Sequence, residues 1–182
     1  MPEIPAGSHA LGPSDGELLV KVYREGAAKK MGHDLILTVD DWSAKIDVNP
    51  EDPSQSSLEA TAQVGSFSVK EGIGGAKPLS RSDKAEIKET ITDKILTFPS
   101  ITFRSTNVSM QGDDRATVEG ELDLGGTTKP ATLELTLQDG RVKGSMKVVQ
   151  SNWGIKPFKA FMGALKVKDE VEVEIDVAMP GG

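Results

Sequence analysis

Residues 118–140 read VEGELDLGGTTKPATLELTLQDG, and the alternation in this stretch decides the fold class. Val118, Gly120, Leu122 and Leu124 alternate with Glu119, Glu121 and Asp123. After Gly125-Gly126, Ala131, Leu133, Leu135 and Leu137 alternate with Thr132, Glu134 and Thr136. One side of each run is apolar and the other polar, which is how an antiparallel sheet reads when one face meets water. Gly125-Gly126 and Asp139-Gly140 supply positive φ at low cost, so both pairs signal hairpin turns.

The same period of two continues on either side. Leu18, Val20 and Val22 show it, as do Trp42, Ala44, Ile46 and Val48. So do Leu58, Ala60, Ala62 and Val64, and Val171, Val173, Ile175 and Val177. From Glu17 onward the pattern predicts eight or nine strands. Ser80 to Leu96 instead has helical spacing, with Ile87, Ile91 and Ile95 on one stripe. Ser80 or Ser82 would be its N-cap, with Asp83 and Glu86 in the first turn. Phe158 to Leu165, entered through Pro157, reads as a second, shorter helix. Residues 1–16, with Pro2, Pro5, Gly7, Gly12 and Pro13, read as a loose leader. Residues 17–182 then form a single domain.

Eight amphipathic strands hide their apolar faces either in a sandwich or in a barrel. Closure removes exposed edges, so a mainly β, eight-stranded antiparallel barrel with one longer and one short helix is expected. Small residues recur on the inward sets: Ala44, Ala60, Ala62, Ala116, Gly120, Ala131 and Gly144. Aromatic residues are 4% of the 182 residues, so bulky filler is scarce. Such a barrel is expected to be hollow unless the helix plugs it or a sandwich interdigitates instead.

Composition narrows the function classes. The formal net charge of -7 opposes a phosphate-tracking surface, so no nucleic-acid partner is expected. Without cysteine there are no disulfides, thiolate metal sites or cysteine nucleophiles. No apolar run has the length of a membrane span, and Met1 to Gly16 lacks the build of a secretory signal. A cytoplasmic location is expected, or a periplasmic or secreted one for a processed chain.

Three segments carry a family resemblance. DKILTFPSITFRSTNV (93–108) resembles the helix-end, Phe-Pro, strand signature of the YceI-like family. GELDLGGTTKPATLEL (120–135) resembles that family's Thr-Lys-Pro hairpin, and VQSNWGI (149–155), Gly163-Ala164-Leu165 and Asp169-Glu170-Val171 resemble its C-terminal half. The resemblance implies a lipocalin-like barrel that binds polyisoprenoid chains such as isoprenoid quinones or polyprenyl phosphates. It also implies homodimers and, in several members, export to the periplasm. This chain departs from the pattern at Gln150-x-Asn152, where many members carry Arg-x-Asp, and at Gly32-His33-Asp34-Leu35.

The candidate site follows from parity and from the aromatic residues. His33 shares parity with Leu35, Leu37 and Val39 and should point inward, either toward a polar head group or onto backbone as a structural histidine. Trp42 and Ala62 lie on inward sets. Phe98, Phe103, Trp153, Phe158, Phe161 and Met162 would anchor an apolar chain at a cavity mouth or serve as ordinary core. Lys156 and Lys159 would attract a phosphate head group or simply face solvent. Asp34 would face water or pair with Lys29 or Lys30. Gly72 to Gly75 is a loop without phosphate-cradle features. No metal site is expected, since His9 is the only other histidine.

These features predict a non-catalytic carrier or store of one long apolar molecule, with no cofactor beyond a bound isoprenoid or fatty lipid. A stress-related or interaction module with a filled barrel is the alternative. A small hydrolase or isomerase using His33 is a further one, opposed by the absence of a second inward polar group to pair with it.

Overall fold

The computed structural model describes residues 4–179. In chain order the elements are β1 (Gly7–Leu11), β2 (Gly16–Val22), β3 (Arg24–Glu25), β4 (Asp34–Val39), β5 (Trp42–Val48), β6 (Ser57–Gln63) and β7 (Phe67–Ile73). The helix α1 (Arg81–Thr90) follows, running into a π turn over Ile91–Ile95. The remainder is β8 (Ser100–Met110), β9 (Arg115–Leu124), β10 (Thr127–Gln138), β11 (Arg141–Val149), β12 (Lys159–Ala160), β13 (Leu165–Val167) and β14 (Glu170–Ala178).

Eleven strands form one sheet in the order β1-β5-β6-β8-β9-β10-β11-β14-β2-β4-β7, and β12-β13-β3 form a small second sheet. The fold is mainly β with one helix, as the alternation predicts, but the main sheet has 11 strands rather than eight. It curls into a half-barrel. Among the described residues no ladder joins edge strand β1 to edge strand β7. Connections cross the gap instead: the Asp40 N–H donates to the Ser66 carbonyl (3.1 Å) and the Gln63 N–H to the Asp41 carbonyl (2.9 Å). Helix α1 packs against β7 and lies over the remaining opening.

Two sequence readings are corrected. The supposed leader contains β1, which pairs with β5 from Gly7↔Val48 to Leu11↔Ala44 and buries Leu11. Gly7 opens the strand while Pro5, Gly12 and Pro13 lie outside it, and an edge strand needs only one partner. The short helix at 158–165 is absent. That stretch holds β12, a 3-10 turn over Phe161–Gly163 and the start of β13. A helix of one or two turns has little to repay its nucleation, whereas β13 finds hydrogen-bond partners on both sides, in β12 and β3.

The turn and cap readings hold. Gly125 and Gly126 have φ of 64° and 89°, and Asp139 and Gly140 have 53° and 75°, as tight hairpins require. Ser80 caps α1: its hydroxyl accepts from the Asp83 N–H (3.1 Å), and the Asp83 carboxylate accepts from the Ser80 N–H (2.9 Å).

Candidate functional site: an apolar cavity

The concave face of the sheet encloses a cavity of about 790 Å³. Its wall is the inward parity set of the sequence: Leu18, Val20 and Val22 on β2, Leu35, Leu37 and Val39 on β4, and Val171, Val173 and Ile175 on β14. Ala44, Ala60 and Ala62 line the opposite side, and Ile87, Ile91 and Ile95 bring the apolar stripe of α1 over it. Trp42, Phe67 and Val39, all about 4% exposed, complete the packed part of the wall. The middle of the wall behaves differently. Leu18, Val20, Leu35, Leu58, Ile87 and Ile91 face inward yet are only half-buried, because the space before them is unfilled.

Small side chains have two uses here. Ala44, Ala60 and Ala62 leave the lumen wide. Gly120 and Gly144 serve close packing instead. A Cβ on Gly120 would stand 2.5 Å from the Arg104 carbonyl oxygen and 2.6 Å from the Phe103 ring, and one on Gly144 would stand 2.7 Å from Ile175. Ala116 and Ala131 lie in packed core, outside the lining.

The candidate residues separate into two groups. His33, Leu35, Leu37, Trp42, Ala62, Phe103 and Phe158 line the cavity. Phe98, Trp153, Phe161, Met162, Lys156 and Lys159 do not. Phe98 packs at the β9–β10 turn beside Gly125. Trp153 is buried in the wall's own packing, its indole N–H donating to the Leu122 carbonyl (2.9 Å). Phe161 and Met162 project to solvent at 60% and 106% exposure. Lys156 and Lys159 are exposed on the same segment. In place of a helical anchor, this segment is an extended hairpin, which turns those side chains outward.

Polar groups cluster at the open end. The His33 Nε2 lies 2.6 Å from the Lys77 carbonyl oxygen, a histidine engaged with backbone. Asp34 pairs with neither Lys29 nor Lys30. It accepts from the Arg24 N–H (2.9 Å) and lies 3.8 Å from the Arg24 Nε, because β3 prolongs the strand that β4 pairs with. Gly74 and Gly75, both at positive φ, let the 72–75 loop close onto Arg24 and His33, where any Cβ would clash at about 2.3–2.4 Å. Asp83 also borders the opening. Hydrogen bonds from the Ser80 N–H and hydroxyl hold its carboxyl below the usual carboxylate value. On the outer face, burial and the neighbouring Glu172 carboxylate push the Tyr23 phenol up.

The sequence reading missed Met31, the α1 stripe and Gln150 as lining residues. The stripe was visible as Ile87-Ile91-Ile95, but spacing does not tell which cavity a helix covers. Gln150 is the one buried polar residue among those described, and its amide donates to the Lys168 carbonyl (3.2 Å). No group of three or more His, Cys, Asp or Glu side chains among the described residues could hold a metal ion. No helix among them is long and apolar enough to cross a membrane.

A curled antiparallel sheet around an apolar cavity, with one helix over the gap, defines the class of fold. A family model described as YceI-like domain matches residues 22–179, and the chain belongs to that family. The crystal structure of BcnA from Burkholderia cenocepacia is similar, at 18% identity over 89% of this chain and 94% of that one, with a TM-score of 0.66. The crystal structure of the Campylobacter jejuni YCEI protein is also similar, at 15% identity over 78% of this chain and 81% of that one, with a TM-score of 0.56. At these identities the likeness is one of fold. Among curated proteins none matches the chain.

Proposed function

We propose that the chain binds one long apolar molecule, an isoprenoid or another lipid-like chain, in the cavity and carries or stores it without chemical change. The observation that carries this reading is an apolar lumen of about 790 Å³ whose wall side chains face unfilled space. That volume lies in the upper part of the range for small-molecule sites, which runs to about 1,000 Å³. Each buried CH₂ contributes about 0.8 kcal/mol, so about fifteen give roughly 12 kcal/mol before the costs of association. Those costs take at least about 4 kcal/mol, which leaves binding at best near the micromolar range. Polar contacts at the mouth then set head-group preference more than affinity.

The same lumen disfavours the filled-barrel module. The enzyme reading lacks support because His33 is engaged with backbone and the carboxylate bordering it, Asp83, is engaged in capping α1. Catalysis needs convergent groups free to act on a bound substrate.

Organic extraction of the purified protein followed by mass spectrometry tests the proposal. A stoichiometric long-chain apolar species is the expected result. Protein that carries none, and that takes up no alkyl or prenyl chain after delipidation, contradicts it.

A further inference from the structure

Among the described residues six large hydrophobic side chains are exposed, and five of them lie at the open end of the cavity: Met31 (63%), Ile73 (47%), Phe158 (41%), Phe161 (60%) and Met162 (106%). Backbone geometry brings their segments together. The Ala28 N–H donates to the Ala164 carbonyl (2.7 Å), the Val167 N–H to the Phe158 carbonyl (2.9 Å), and β13 pairs with β3. Arg24 donates to the Ile73 carbonyl (3.2 Å). Met31 and Phe158 also line the cavity, so the patch is continuous with its mouth.

The turn that carries the most exposed pair has an unusual backbone. Phe161 and Met162 have φ of 52° and 56°, the left-handed region that side-chain-bearing residues avoid. Two bulky apolar residues are thus held outward at a conformational cost, where Gly or Asn would sit more easily. Apolar side chains displayed in this way mark an interaction surface.

The charge around the patch identifies the partner. Residues 26–33 and 151–168 contain Lys29, Lys30, Lys156, Lys159, Lys166 and Lys168 and no Asp or Glu, in a chain whose net charge is -7. All six lysines are exposed, and among them only Lys166 has a salt bridge among the described residues, to Glu25 (3.6 Å). Opposite them α1 carries Arg81, Lys84 and Lys88 against Asp83, Glu86 and Glu89, so it adds no net charge. We propose that this end of the molecule docks on an anionic lipid bilayer. Phe161 and Met162 would insert among the acyl chains, the lysines would meet the phosphate head groups, and the cavity mouth would face the membrane. A second copy of this chain fits the patch poorly, since a two-fold contact centred on it brings two positively charged faces together.

Docking builds on the carrier reading by giving the ligand a dry path, but it rests on surface residues and is tested separately. Vesicles of phosphatidylcholine with and without phosphatidylglycerol are sedimented with the protein. The wild type is expected to bind the phosphatidylglycerol vesicles and to release as salt rises. Phe161→Asn with Met162→Asn, residues suited to the left-handed turn, should weaken binding about a hundredfold with an unchanged circular dichroism spectrum. Lys29→Glu and Lys159→Glu should each weaken it by at least about fivefold. Met110→Asn, which removes the sixth of these exposed hydrophobics, should leave binding unchanged. Three results would overturn the proposal: no wild-type binding to anionic vesicles, equal binding by the Phe161/Met162 variant, or a patch variant that only dissociates a dimer. If the delipidated wild type took up no alkyl chain while vesicle binding behaved as stated, the carrier reading would fail and docking would stand.

Discussion

Leu37 is 3% exposed at the cavity wall, and Ala62 stands on the opposite side. Leu37 is packed, whereas half-buried Ala62 borders unfilled lumen, so Ala62→Phe should fold while occupying part of the ligand's space. The expected outcome is loss of co-purifying lipid with a melting temperature within a few degrees of wild type; retention of bound lipid counts against the lumen as its site. Gly120 is the opposite case. Its missing Cβ makes room for backbone and for the Phe103 ring, so Gly120→Ala should destabilise by about 1–3 kcal/mol, measurable by urea unfolding. Trp153 shows why residue type alone misled. A large aromatic near the cavity looked like an anchor, but its N–H needed a buried acceptor and found one at Leu122. Position along the strand decided these assignments, and the residues on clean period-two runs, Leu35, Leu37 and Ala62, were legible for that reason.

Among elements, α1 is the one the opening depends on. Its outer side is polar, its inward stripe is Ile87 and Ile91, and it buries no residue fully. The capping box therefore matters to it more than to a packed helix. Ser80→Ala should lower stability by about 1 kcal/mol and loosen the helix first, which hydrogen exchange of residues 81–90 would register. The Asp83 carboxyl is held below its usual value in the folded chain. Its contribution is therefore complete above the unfolded value near pH 4 and is lost as pH falls through the folded value. Acidification below about pH 4 should speed ligand release, and Asp83→Asn should flatten that dependence. The capping signal was readable because it is local. The β12–β13 hairpin was not, because β3 lies more than a hundred residues away and only tertiary pairing favours strand over helix there. The same holds for β1, whose partner β5 supplies what its own sequence does not announce.

For the whole molecule, alternation foretold a curved antiparallel sheet and an under-filled interior, but not how its edges meet. A strand ladder between β1 and β7 is replaced by two hydrogen-bonded connections and a helix. Trp42 lines the cavity and Trp153 does not, so the two tryptophans report on different places. Delipidated Trp153→Phe protein, with Trp42 as its only indole, can be titrated with a long-chain alcohol brominated along its tail. Saturable quenching of Trp42 at one equivalent is expected, with Trp153 unaffected in the matching Trp42→Phe protein. Unchanged Trp42 emission at saturating alcohol, or quenching of Trp153 in its place, would contradict binding in the lumen.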